Sequence, residues 1–231
     1  MISLPTAFAR AVGQLADPAI VRVLVKSVAL TLLVFAALGV GLWAALEQAL
    51  ESYTTGFSAE IAALVSILLA VIGGWLLFRI VAIAVIQFFA DEIVMAVEKR
   101  HYPGAHAVAR DLTFAESLRE SLKGLGRALG ANLLALPVAL ILLVTGIGTV
   151  LLFWLVNAWL LGRELQDIAW LRHRARPEDA PPLTGLTRFL LGGTVAALFA
   201  VPFLNLLAPV IGAAAATHLV HDRKESLPDA L

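Results

Sequence analysis

A run of 35 residues, 128–162, contains no charged side chain and limits the possible folds more than any other feature of the chain. One helix that crosses a bilayer needs about 20 apolar residues, and two full crossings need about 40 plus a polar loop. Only Pro137 and the turn-like Thr145-Gly146-Ile147-Gly148 interrupt the run. It therefore predicts a helical hairpin that enters the membrane, turns at Gly146–Gly148 and leaves on the same side. Such re-entrant backbone needs protein or a watery cavity around it, which favours a transport or channel-like protein.

The composition excludes a soluble globular domain. Of the 231 residues, 60% are hydrophobic and 15% are charged, and the mean hydropathy is +0.89. These values predict an all-α integral membrane protein with a single membrane domain over residues 1–224 and a disordered tail over residues 225–231. The formal net charge of zero gives no electrostatic footprint for nucleic acid. The absence of cysteine excludes disulfides and thiol chemistry.

The distribution of charge predicts the topology. Residues 27–46 and 61–78 are uncharged spans, and the loop 47–60 between them holds three glutamates and no basic residue. By the positive-inside rule that loop faces outward. Segments 91–127 and 163–188 contain six and five basic residues, so both belong in the cytoplasm together with the two termini. We therefore predict a multi-pass membrane protein with both termini in the cytoplasm.

A second uncharged run, residues 189–217, is interrupted by Pro202, Asn205 and Pro209 and predicts a second re-entrant hairpin. The predicted architecture has two long transmembrane helices, two hairpins that penetrate part-way, and amphipathic helices on the cytoplasmic face. Six short full spans have the same parity and remain an alternative. The capping box Thr113-x-x-Glu116 opens one of the surface helices.

Two groups of residues are candidates for binding an anion. Arg22, Lys26 and Arg79 fall near the inner boundary of the membrane and could form a cationic mouth, although Arg79 also fits a side chain that snorkels to the headgroups. The tips of the hairpins form the second group, because helix N-termini there would direct N–H groups at an anion. This second group comprises Thr145, Gly146, Gly148 and Asn205. The glycines alternatively serve only to make a tight turn.

No catalytic motif is present, and we predict neither an enzyme nor a cofactor. His218 and His221 stand at i, i+3, but the charged residues that follow them favour solvated positions at an interface. His101 and His106 flank a loop. These patterns do not predict a metal site. Gly192-Gly193 and the run Ala213–Ala216 favour close helix packing.

The chain resembles the family of membrane proteins that carry the domain of etoposide-induced protein 2.4, which includes the bacterial sulfate permease CysZ. The resemblance rests on four segments: Gln14-Leu15-Ala16-Asp17-Pro18, Asp91-Glu92-x4-Val97-Glu98, Asn157-Ala158-Trp159-x3-Arg163-Glu164 and Pro202-Phe203-Leu204-Asn205-x3-Pro209. It implies two long spanning helices, hairpins that penetrate part-way, and sulfate entry by an oligomer in the bacterial inner (plasma) membrane.

One departure from the family bears on the solute. Sulfate-handling members carry Gly-Leu-Arg-Arg after the proline that precedes the first span, whereas this chain has Ala19-Ile20-Val21-Arg22. The expected function is a permease-like protein for a small oxyanion such as sulfate, which contacts membrane lipid and forms a homo-oligomer. A non-transporting protein that organises partners or lipid is the alternative.

Overall fold

A computed structural model describes residues 2–52, 73, 89–176, 178–201 and 204–226. Every regular element in these ranges is a helix, so the predicted all-α class is confirmed. The helices are α1 (Leu4–Gly13), α2 (Pro18–Ser52), α3 (the described residues 89–101), α4 (Pro103–Val108), α5 (Phe114–Leu142), α6 (Ile147–Trp170), α7 (Gly185–Phe199) and α8 (Leu204–Ser226). Short 3-10 turns, Leu143–Thr145 and Leu171–His173, follow α5 and α6.

The chain divides into two compact units. The first comprises Met1–Ile20 and Ala90–Leu231, and the second is Val21–Phe89. In the second unit, α2 contains the whole first predicted span, 27–46, in one helix. Its start at Pro18 agrees with the local sequence, because Asp17 is a favourable N-cap residue and proline is favourable at the first helical position. The second predicted span, 61–78, lies outside the described residues except for Gly73, which is helical.

In the first unit, α5 and α6 form a helical hairpin with its turn where the sequence predicts it. Gly146 adopts a φ of 64°, the left-handed region that glycine enters without steric cost. The hydroxyl of Thr149 on α6 donates a hydrogen bond to the carbonyl of Ala139 on α5, 3.3 Å away. The predicted capping box is confirmed, since Thr113 and Glu116 cap each other's backbone N–H groups.

The two helices of this hairpin are long and apolar enough to cross a membrane, over Phe114–Thr145 and Ile147–His173. At about 1.5 Å per residue, α5 is about 44 Å long and α6 about 36 Å, compared with about 30 Å for the hydrocarbon core. Instead of a surface helix followed by a separate hairpin arm, α5 runs unbroken from the capping box through Pro137. Because both lengths allow a complete crossing, half-depth insertion stays a prediction.

The close approach of α6 and α7 depends on small residues, as predicted for Gly192-Gly193. A Cβ atom added to Gly162 on α6 would lie 1.8 Å from the carbonyl oxygen of Arg188, and one added to Gly192 would lie 2.0 Å from that of Ala158. The indole N–H of Trp154 donates to the carbonyl of Gly193 at 3.0 Å. Backbones that approach this closely pack as helices do in membranes, through small residues rather than through large apolar side chains.

Helix α8 forms the centre of the first unit. Its run Ala213–Ala216 is completely buried, which confirms the prediction that these alanines serve packing. Helix α1 contributes the completely buried Ala7 and Ala11. Pro209, which the sequence presents as an interruption of the second uncharged run, lies inside α8, which begins at Leu204. Pro209 lies in the second turn of α8, so it costs the helix the one hydrogen bond that residue 209 would otherwise donate to the carbonyl of Asn205.

Substituting Gly162 by Ala tests the tight packing of α6 against α7. We expect the added methyl group to destabilise the folded protein by about 3 kcal/mol, because the obstacle is backbone and cannot rotate away. Gly126→Ala on α5 is the matched control, since no atom lies within 4 Å of its added Cβ. The midpoint of thermal unfolding in detergent should fall for Gly162→Ala only, and equal midpoints for the two variants would contradict this packing.

Candidate functional site

All five histidines of the chain lie in two adjoining polar clusters of the first unit. The Glu98 cluster consists of Glu98, His106, Arg172, His173 and His221. The Gln14 cluster consists of Gln14, His101, Tyr102 and His218. Helix α8 contributes His218 to the Gln14 cluster and His221 to the Glu98 cluster. The two clusters adjoin because residues at i and i+3 share a helix face.

The position of Glu98 follows from the pattern of α3. Ala90, Val94 and Glu98 recur every four residues, so they lie on one face of the helix. That face is buried: Ala90 is 7% exposed, and Val94 and Glu98 are both 0% exposed. A carboxylate at the end of an apolar stripe enters the protein interior along with the stripe. It must then find hydrogen-bond and charge partners there.

Two histidines supply these partners at one oxygen of Glu98. The Nε2–H of His173 donates to Oε1 at 2.6 Å, and the Nε2–H of His221 donates to the same oxygen at 3.0 Å. Burial alone would raise the pKa of Glu98, but the hydrogen bonds and positive charge of the two histidines outweigh it and lower the pKa to about 2. Glu98 is therefore a carboxylate at neutral pH.

The other oxygen of Glu98 faces a second pair of groups. Oε2 lies 3.6 Å from Nδ1 of His106 and 3.8 Å from Nη1 of Arg172. Both separations are too long for a direct hydrogen bond. None of these three buried atoms has a hydrogen-bond partner among the described residues. Oε1 of Glu98 therefore accepts two hydrogen bonds, whereas Oε2 accepts none from the described residues and is available to a further ligand.

The 3-10 turn that carries Arg172 and His173 is held by the loop after α4. The backbone N–H of Arg110 donates to the carbonyl of Arg172 at 3.0 Å. The Arg110 side chain also donates to the carbonyl of Arg174 at 3.4 Å, and it contacts both carboxylate oxygens of Glu116 at 3.0 Å. This bridge fixes the turn against the start of α5. It thereby orients His173 toward Glu98.

In the Gln14 cluster, a single amide serves two histidines. Nε2 of Gln14 donates to Nε2 of His218 at 2.7 Å and to Nε2 of His101 at 3.0 Å. Nδ1 of His218 then carries the proton and donates to the Tyr102 hydroxyl at 2.9 Å. Burial, followed by the positive charge of His101, Arg10 and His221, lowers the pKa of His218 to about 4. His218 is thus neutral at neutral pH.

Tyr102 connects the two clusters. Its ring stacks on His221 with centroids 4.7 Å apart and an interplanar angle of 28°. Its hydroxyl contacts His218 in the other cluster. His173 and His221 meet edge to face at 4.8 Å. The side chains of His173, His218 and His221 therefore form a continuous buried assembly, with the partly exposed His106 and the exposed His101 at its edge.

The prediction that His218 and His221 are solvated is wrong. They are 1% and 2% exposed. The charged residues 222–224 lie at the C-terminal end of α8, as their composition suggests. Burial of the helix nevertheless extends as far as His221, directly before them. Two sequence signals were missed: an acidic residue that continues the apolar stripe of α3, and histidines concentrated in segments that flank apolar helices.

At the predicted hairpin tip, the structure shows a turn that satisfies its own polar groups. The Thr145 hydroxyl donates to the carbonyl of Leu142 at 2.6 Å and accepts from the backbone N–H of Gly148 at 3.1 Å. A Cβ atom at Gly148 would lie 2.5 Å from that hydroxyl oxygen, which explains the glycine. Thr145, Gly146 and Gly148 are thus brought together by the turn, and anion binding there stays a prediction.

The other predicted anion-binding residues belong to other segments of the chain. Asn205 is exposed in the first turn of α8. Arg22 and Lys26 are exposed one turn apart on α2, so they share a helix face. Arg79 lies outside the described residues. The role of all four in anion binding stays a prediction.

Comparison with known proteins gives one match. The family profile described as "Sulfate transporter CysZ/Etoposide-induced protein 2.4" matches residues 7–209. This range contains Glu98, His106 and His173 but ends before His218 and His221. No curated protein and no solved structure matches the chain.

Acidification should destabilise the protein through His218. The side chain of His218 has a pKa of about 6.5 in the unfolded state and about 4 in the folded state. Between these two pH values the unfolded state binds a proton that the folded state does not bind. Stability should fall by about 3 kcal/mol as pH decreases from 6.5 to about 4. The stability that the ionised Glu98 carboxylate contributes is lost at lower pH, as the pH falls from 4.5 to about 2.

Thermal unfolding in detergent, measured across the higher window, tests this expectation. The His218→Gln variant should have a flatter dependence of the unfolding midpoint on pH than the wild type, because its side chain takes up no proton. The same slope in both proteins would show that His218 does not control the response to acid.

Proposed function

We propose a function from the premise that this chain belongs to the Sulfate transporter CysZ/Etoposide-induced protein 2.4 family, whose profile it matches over residues 7–209. We propose that it is a permease-like protein of the bacterial inner membrane that lets a small oxyanion, such as sulfate, pass. We further propose that it works as a homo-oligomer in contact with membrane lipid.

The α5–α6 hairpin is the observation that supports insertion into a membrane. Its apolar side chains face outward along both helices: Leu134 is 79% exposed, Val144 is 94% exposed at the turn, and Ile147 is 81% exposed. A continuous apolar surface of this kind is rare on soluble monomers. Lipid, or lipid together with further subunits, would cover it.

Two features support an anion as the solute. The family description names a sulfate transporter. Arg22 and Lys26 also present two cations on one exposed face of α2. Cations at the membrane boundary attract an anion electrostatically, and an arginine contacts a tetrahedral oxyanion through two N–H groups at once.

The family description, which names a sulfate transporter, favours transport over the alternative of a non-transporting organiser of lipid or partners. The alternative is supported by the sequence Ala19-Ile20-Val21-Arg22, in which only Arg22 matches the arginine pair of the sulfate-handling members. Complementation of a mutant deficient in sulfate uptake would distinguish the two functions.

The cysteine-free chain allows a direct test of topology. Single cysteines at Ser52, Arg110, Arg174 and Ser226 should be labelled by an impermeant maleimide in intact cells at position 52 alone, because the basic segments face the cytoplasm. A fifth cysteine at Val144 reports the depth of the hairpin, since this side chain is exposed at the turn. It should stay unlabelled if the hairpin inserts part-way.

Labelling after permeabilisation is the control and should reveal Arg110, Arg174 and Ser226. External labelling at Val144 would show that α5 and α6 cross completely. External labelling at Arg174 would contradict the arrangement of two same-side hairpins.

Sulfate binding should depend on the cations near the inner boundary. We expect Arg22→Ala and Arg79→Ala each to weaken binding about 10-fold, because a charged hydrogen bond to an anion contributes about 1.5 kcal/mol or more. Calorimetry with sulfate and uptake of labelled sulfate into proteoliposomes measure the effect. Arg119→Ala removes the same charge from an exposed position on α5 and serves as the control. Normal binding and uptake in the Arg22→Ala and Arg79→Ala proteins would show that these two arginines serve only as anchors at the membrane interface.

A further inference from the structure

We propose that Glu98, His173 and His221 bind a divalent transition-metal ion, with His106 as a fourth donor. The metal-binding atoms of the first three residues all lie within 4.8 Å of one another. This inference is independent of the anion and concerns a different ligand. It assigns a role to a cluster that the transport proposal does not require.

The geometry needs only small adjustments to hold an ion. In a tetrahedral site with bonds of about 2.0–2.1 Å, neighbouring ligand atoms are about 3.3 Å apart. Oε1 of Glu98 lies 2.6 Å from Nε2 of His173 and 3.0 Å from Nε2 of His221. Each of these two separations would therefore increase by less than 1 Å when an ion replaces the shared protons. Rotations about side-chain bonds suffice for such a shift.

The unused polar atoms around Glu98 also point to a ligand. Nδ1 of His106 is buried without a partner and lies 3.6 Å from Oε2 of the carboxylate. A buried polar atom that forms no hydrogen bond costs about 1–3 kcal/mol, so a structure with several of them around one carboxylate is under-satisfied. An ion held at the carboxylate would draw His106 into its coordination. Arg172, 3.8 Å from Oε2, would hold the carboxylate from outside the first coordination sphere.

The donor atoms determine the class of metal. Two or three imidazole nitrogens and one carboxylate suit Zn²⁺, Fe²⁺, Co²⁺, Ni²⁺ or Cu²⁺, whereas Mg²⁺ and Ca²⁺ prefer oxygen donors throughout. The chain contains no cysteine, so thiolate ligands are excluded. Zn²⁺ is a suitable probe because it is redox-inactive and accepts a tetrahedral set of nitrogen and oxygen ligands.

Such an ion would join four separate elements of the first unit. Glu98 lies on α3, His106 on α4, His173 on the 3-10 turn after α6, and His221 on α8. An ion that binds only the folded arrangement stabilises it by mass action. Metal binding should therefore raise the midpoint of thermal unfolding.

The test uses full-length protein in detergent, purified through an affinity tag that contains no histidine. Titration with Zn²⁺, followed by calorimetry and thermal unfolding, should show one ion per chain and a higher unfolding midpoint. Glu98→Gln and His221→Gln should each weaken binding by about 100-fold or more, since even outer-sphere changes cost about 10–100-fold. His218→Gln is the matched control: it is a buried histidine one turn earlier on α8, and both of its ring nitrogens contact other groups. It should bind Zn²⁺ like the wild type.

A second measurement needs no variant and decides the matter if substitution of Glu98 prevents folding. X-ray absorption of the Zn²⁺-loaded wild type should show two or three imidazoles and at least one oxygen ligand. Absence of stoichiometric Zn²⁺ binding by the wild type would overturn the proposal. So would unchanged affinity in folded Glu98→Gln and His221→Gln proteins, or a coordination shell that contains a single imidazole.

Discussion

The buried carboxylate of Glu98 imposes the strongest physical constraint on the first unit. A charge removed from water needs an opposite charge or several hydrogen bonds, and loss of one partner from such a group typically costs about 3–5 kcal/mol. The histidines that satisfy Glu98 come from the 3-10 turn after α6 and from α8. Both elements are far from α3 in the sequence, since His173 and His221 lie 75 and 123 residues after Glu98. The requirement to pair one charge thus fixes how distant parts of the chain assemble.

Small residues make this assembly possible. Gly162 and Gly192 let the backbones of α6 and α7 approach closely, and the completely buried Ala213–Ala216 bring α8 into the same core. Thr217 and His218 follow directly on this alanine run, so tight packing of α8 carries His221 to Glu98. Larger side chains in the alanine run would move α8 outward and lengthen the hydrogen bond of 3.0 Å between His221 and Glu98. The polar cluster is therefore a consequence of apolar packing and not a separate feature.

Local patterns in the sequence predicted the features that local forces determine. The start of α2 at Pro18, the capping box of Thr113 and Glu116, and the turn at Gly146 each depend on a few neighbouring residues. The polar clusters depend on partners far apart in the chain: Gln14 and His218 are separated by 204 residues, and Glu98 and His221 by 123. Periodicity indicates that a face is buried but not which element covers it. For that reason the histidines of α8 were predicted at the surface.

Helix α6 connects an exposed apolar surface to the polar core. Its first turns expose apolar side chains, with Val150 at 70% and Leu151 at 52%, whereas Leu165 is 6% exposed and Gln166 is fully buried. The 3-10 turn that carries Arg172 and His173 follows directly at its C-terminal end. A helix of this length transmits axial displacement because each turn is hydrogen-bonded to the next. Any displacement of the hairpin along the axis of α6 would therefore act on the partners of Glu98, and any ligand that tightens the Glu98 cluster would resist movement of the hairpin.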